Sequence, residues 1–109
     1  MNCEERHDKL VYNLENRLNK YDSGWVVTTH KYYKLYGNIR EMDLQAVKGN
    51  YRITIEVKCN AKYRNNAKKQ LRRARDSYFP SAKRDWYFYA HYNNYFDDND
   101  YTIKRLKIK

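Results

Sequence analysis

A chain of 109 residues with 23 Lys and Arg against 13 Asp and Glu, for a formal charge of +10, is long enough for one domain with a thin core. No apolar run nears the ~20 residues of a membrane-spanning helix, and the start has no apolar signal-peptide core. Cys3 and Cys59 stand far apart and in no CxxC pattern, which argues against a zinc site or a disulfide framework. A reducing intracellular setting is therefore expected, in host-cell cytoplasm or nucleoid-associated and not secreted. The excess charge favours a polyanionic partner over a basic surface that serves only solubility. The 13 Tyr carry much of the apolar share, and each can pack its ring while its hydroxyl stays wet.

In chain order, residues 4–20 predict a first helix. Leu10, Leu14 and Leu18 recur at i, i+4 and i+8 with Val11 beside them, an apolar stripe that His7 extends as a partly buried packing residue. Asp22-Ser23-Gly24 stops it. Residues 25–30 are β-branched and aromatic and predict a strand; 31–36 continue as strand or loop to Gly37-Asn38. His30 reads as a surface or strand-end histidine. Two alternating runs follow, on either side of Lys48-Gly49-Asn50, which reads as a hairpin turn. The period of two puts Met42, Leu44 and Ala46 on one face, and Ile53, Ile55 and Val57 likewise. Asp43 then shares a face with Gln45, and Glu56 with Lys58.

Residues 61–79 predict a second helix with a narrow stripe of Ala67, Leu71, Ala74 and Tyr78. Lys62, Arg64, Lys68, Lys69, Arg72, Arg73 and Arg75 crowd the rest of its surface. Like charges at i,i+4, such as Lys68 and Arg72, repel in the free protein. A phosphate backbone would relieve that repulsion, so these seven are the expected nucleic-acid-binding residues. Pro80 ends the helix and 81–85 connect it to an aromatic interior strand, 86–92. Residues 93–100, with Asp97, Asp98 and Asp100, read as an acidic turn rather than a calcium loop. Residues 101–108 predict an edge strand whose lysines discourage further pairing.

The hairpin places two carboxylates and an ammonium on one face, a set that can hold a hard divalent cation and activate a water. Asp43 followed thirteen residues later by Glu56-Val57-Lys58 resembles the PD-(D/E)XK nuclease superfamily. The wording of 41–47 and 55–58 is similar to its small Holliday junction resolvase-like and viral nuclease branch. The Pro of the family name is replaced by Met42. The resemblance implies a restriction-endonuclease-like α-β-β-β-α-β core, a central mixed sheet flanked by helices, in a single domain. It also implies a metal-dependent endonuclease for DNA, acting on branched structures such as Holliday junctions. Catalytic residues would be Asp43, Glu56, Lys58 and Gln70. Mg²⁺ or Mn²⁺ would be held by Asp43, Glu56, the Val57 carbonyl and an acid of the first helix. Glu4, Glu5, Asp8 and Glu15 compete for that last place; Glu5 is the choice and Glu15 the second.

A homodimer is expected from the small size and the resemblance, with no organic cofactor. The Asn, Lys and Tyr content suits a virus or phage with an A·T-rich genome. Two alternatives stand beside the nuclease: a non-catalytic nucleic-acid-binding module of the same fold, and a small β-rich protein that stacks the bases of single-stranded DNA or RNA on tyrosines. In the last, Asp43, Glu56 and Lys58 would be salt-bridged surface residues.

Overall fold

Asn2 opens the first helix: its side-chain oxygen accepts the Glu5 N–H at 2.8 Å, satisfying a donor the helix itself leaves unpaired. In the computed structural model, which describes residues 2–78 and 84–108, α1 runs Cys3–Tyr21 and buries Leu10, Val11 and Leu14. The strands are β1 (Val26–Leu35), β2 (Asn38–Lys48), β3 (Tyr51–Lys58), β4 (Arg84–Tyr92) and β5 (Tyr101–Leu106). A 3₁₀ turn, Ala61–Tyr63, leads into α2 (Arg64–Ser77). Pro80 and the connector residues 81–83 lie outside the described residues.

The sheet order is β1-β2-β3-β4-β5. Only β3 and β4 run parallel, because α2 lies between them and carries the chain back across the sheet. The class is α/β, a mixed five-stranded sheet with two helices. One core joins the α1 stripe to Leu44, Ala46, Ile55, Val57, Ala90 and Tyr92. A second joins Ala67 and Leu71 of α2 to Tyr87, Tyr89 and Leu106. The helices therefore cover opposite faces, and β4 is aromatic on both because it is buried on both. The acidic turn is occupied internally: Arg6 and Lys9 pair with Asp98, and Asn93 and Asn94 donate to Asp100.

Two expectations are corrected. Cys3 and Cys59 form a disulfide, with Cα atoms 5.7 Å apart, because the start of α1 crosses the end of β3. The reducing setting was argued from unpaired cysteines and loses that support. Among the described residues no helix is long and apolar enough to cross a membrane. Met42 also leaves the face of Leu44 and Ala46. Its Sδ lies 3.8 Å from the Tyr78 hydroxyl, and Tyr78 packs on the α2 side.

The cause of that departure is a kink. β1 and β2 pair from Val26↔Val47 to Leu35↔Asn38, but His30 and Asp43, which face each other in this register, drop out of the ladder. His30 has φ 51° there, a left-handed backbone that interrupts regular pleating. Met42 on the far side of the kink points opposite to Leu44 on the near side. The hairpin closes at Tyr36 (φ 52°) and Gly37 (φ 81°), a two-residue turn with both residues left-handed. For a bulky tyrosine that conformation costs ~1 kcal/mol.

Candidate metal centre

The kink gathers the polar residues. At Leu44↔Ile55 the β2–β3 ladder ends, and beyond it the Asp43 carboxylate accepts the Val57 N–H at 2.8 Å. Continued pairing would have offered that N–H the Met42 carbonyl. The Asp43 N–H faces the Glu56 carboxylate at 3.4 Å. An extended residue points its N–H and C=O toward the same neighbouring strand, so the Val57 carbonyl faces β2 too. From α1, His7 Nε2 reaches the Asp43 carboxylate at 3.2 Å, while its Nδ1 lies 3.2 Å from Asp8. His30 Nδ1 lies 2.9 Å from the Glu41 carboxylate and its Nε2 3.9 Å from Asp8. His30, Glu41 and Asp43 each offer a ligand atom within 4.8 Å of the other two.

Electrostatics divides the two acids. Glu56 is 1% exposed, and burial followed by the charge of Asp43 pushes its carboxyl well above the usual range. Burial also pushes Asp43 up, but hydrogen bonds from His7, Glu56 and the Val57 N–H outweigh it and hold the group below the ordinary value. Of the two carboxyls, Glu56 is therefore the one that holds a proton more readily. A nearby cation would discharge that proton, since it favours both carboxylates ionised. His7 is raised, chiefly by its hydrogen bond to Asp43. Tyr33 is pushed up to about 12 by burial and by Glu56.

The donor chemistry fits a divalent ion in two sets that share Asp43: His30, Glu41 and Asp43, whose ligand atoms converge, and Asp43 beside Glu56 and Val57. The imidazole shifts the preference from Mg²⁺ toward Mn²⁺ or another transition ion, because Mg²⁺ takes oxygen almost exclusively. Asp43, Glu56 and Val57 of the expected set meet here. Lys58 follows in the strand, and its charge acts on Glu56. Gln70 sits on the sheet-facing side of α2; its Oε1 is buried without a hydrogen-bond partner among the described residues. Glu5 is different: it is exposed in the first turn of α1, and α1 reaches Asp43 through His7. Of the basic residues, Lys62 lies on the 3₁₀ turn over the Tyr63 ring, and the other six are on α2, where Arg75 pairs with Asp76.

His7, His30 and Glu41 carry no motif that marks them as site residues, whereas Asp8, beside both histidines, is one of the four α1 acids that compete for the metal. His7 is partly buried and His30 partly exposed on its strand, and both also touch carboxylates of the cluster. A signal for His30 existed, because a turn at 36–37 sets residue 30 opposite residue 43. No known family matches this chain, and no curated protein matches it.

The His7–Asp43 pair carries a pH signature. His7 is raised in the folded state, so its stabilisation is full below its unfolded value near 6.5. It is lost as pH rises through the folded value. The melting-temperature difference between wild type and His7→Gln should therefore shrink from pH 6 to pH 8. A difference that stays flat or grows would show that the pair does not form.

Proposed function

We propose that this protein is a divalent-cation-dependent endonuclease that cuts DNA, of the PD-(D/E)XK type. The observation that carries the reading is the meeting of Asp43 and Glu56 where β2 and β3 part, with Lys58 two residues on. A helix, three antiparallel strands, a helix and a strand parallel to the third also support it. The fifth strand extends that order at the sheet edge.

The cation, when bound, supplies positive charge to the scissile phosphate and acidifies water. The chain does the rest. His7 and the Val57 N–H keep Asp43 ionised and aimed. Lys58, as an ammonium, holds the attacking water, and its charge favours the hydroxide that water becomes on losing its proton to solvent. Gln70, with its unspent oxygen, orients that water or accepts from it. The α2 cations hold the backbone.

A panel of labelled four-way junctions, flaps, duplexes and single strands, incubated with Mg²⁺ or Mn²⁺, tests the reading. Cleavage is expected, and faster with Mn²⁺. No cleavage of any member with either ion would leave a non-catalytic binding module. Two copies would let two sites reach two strands of a junction, which sedimentation with and without DNA measures.

The basic face has its own test. Lys68→Ala and Arg72→Ala should each weaken binding about equally across sequences and lower the slope of log affinity against log salt by about 1. An unchanged slope would remove α2 from the interface.

A further inference from the structure

β2 loses β3 as a neighbour beyond Leu44, so residues 31–42 project as a two-stranded arm, roughly 16 Å long for its five cross-strand pairs. Between residues 31 and 40 the arm has Lys31, Lys34 and Arg40 and no acid. Tyr32 pairs across with Glu41, and Lys34 with Ile39, so these four share one face. Tyr32 and Ile39 are 68% and 71% exposed, and Tyr36 at the apex 87%. Tyr36 occupies a left-handed turn position where Asn or Gly would fit without strain. An aromatic ring there gains no packing in the free protein. The same face runs back to Glu41, which touches His30. On the other face Arg40 of the arm and Arg73 of α2 both act on Tyr33, so the cationic surface of α2 continues onto the arm.

We propose that this arm binds an unpaired nucleic-acid strand, stacking its bases on Tyr32 and Tyr36 and its phosphates against Lys34, and leads it to the cation cluster. The strand's destination rests on the nuclease reading; the contact with the arm does not. Aromatic rings interleaved with cations suit single strands, because every base has a face to stack and every linkage a charge. A rigid duplex keeps its bases stacked on each other and offers the rings nothing.

The test uses the whole chain, in Ca²⁺ to hold complexes uncut, with labelled oligo-dT, oligo-U and a duplex read by fluorescence anisotropy. Tyr32→Ala and Tyr36→Asn should each lower single-strand affinity by about tenfold, with duplex affinity and Mn²⁺ binding unchanged. Equal losses on oligo-dT and oligo-U identify the stacked base as the ligand; a loss on one alone identifies which nucleic acid the arm takes. Tyr36→Asn should melt no lower than wild type, since Asn-Gly suits this turn, so weaker binding could not be blamed on misfolding. Unchanged single-strand affinity in both variants would overturn the proposal. So would sedimentation in which they turn a wild-type dimer into monomers, because the arm would then be a self-association surface. Weaker strand binding in a protein that cuts nothing would leave the arm standing and remove the nuclease; cleavage with unaltered strand binding would do the reverse.

Discussion

Glu56→Gln is expected to make the cation-free protein more stable and to lower cation-dependent cleavage on the order of 10²–10³-fold or more. Glu56 is almost wholly buried beside Asp43, and its carboxyl is raised by burial and by that neighbour. A group raised in the folded state contributes its full stability below its unfolded value and loses it as pH climbs through the folded one. Stability of the wild type should therefore fall as pH rises above the ordinary glutamate range. Asp43 is shifted the other way, so its contribution is lost only as pH falls through its folded value, in a separate window. Glutamine keeps an N–H for Asp43 and never ionises. Its gain at neutral pH should be on the order of 1 kcal/mol, or roughly 4–8 °C in melting temperature. Thermal melts across pH, with and without Mn²⁺, read both effects. Wild-type cleavage by the variant, or a melting curve with the same pH dependence as wild type, would remove Glu56 from the proposed role.

Reduction of the Cys3–Cys59 disulfide is expected to cost about 4 kcal/mol, from the loop-closure entropy of a bridge between residues 56 apart. The bridge joins the helix that carries His7 and Asp8 to the residue after Lys58. Its loss should therefore also weaken Mn²⁺ binding. Melts of wild type with and without reductant, beside the Cys3→Ser/Cys59→Ser double variant, measure the stability term, and Mn²⁺ titration the coupling. Reduced and oxidised protein melting together would show that the bridge does not form in solution.

Most elements could be read from local pattern, since each has its own period or stop: the leucine stripe of α1, the alternation on either side of Gly49, the small-residue stripe of α2, the aromatic run of β4. Asp43, Glu56 and Lys58 could be read because their spacing spans one hairpin. What escaped depends on contacts between distant segments. His7 looks like a stripe residue until α1 is laid across the sheet with its first turns beside Asp43. Cys3 and Cys59 look unrelated until the same crossing is made. Met42 follows its strand's period only up to a kink that a left-handed histidine imposes, and nothing in residues 40–46 announces it.

That kink has a further consequence. The hairpin beyond His30 and Asp43 contributes no strand pairing to β3; it joins the sheet through its base and meets the α2 side through Met42 and Tyr33. Its residues can be removed in matched pairs, one from each strand, without altering which residue faces Asp43 across the ladder. Removing one residue from a single strand would instead slide His30 away. Reach and chemistry are thus separable: the projection could lengthen or shorten between homologues, in steps of two residues, while the carboxylates at its root keep their places.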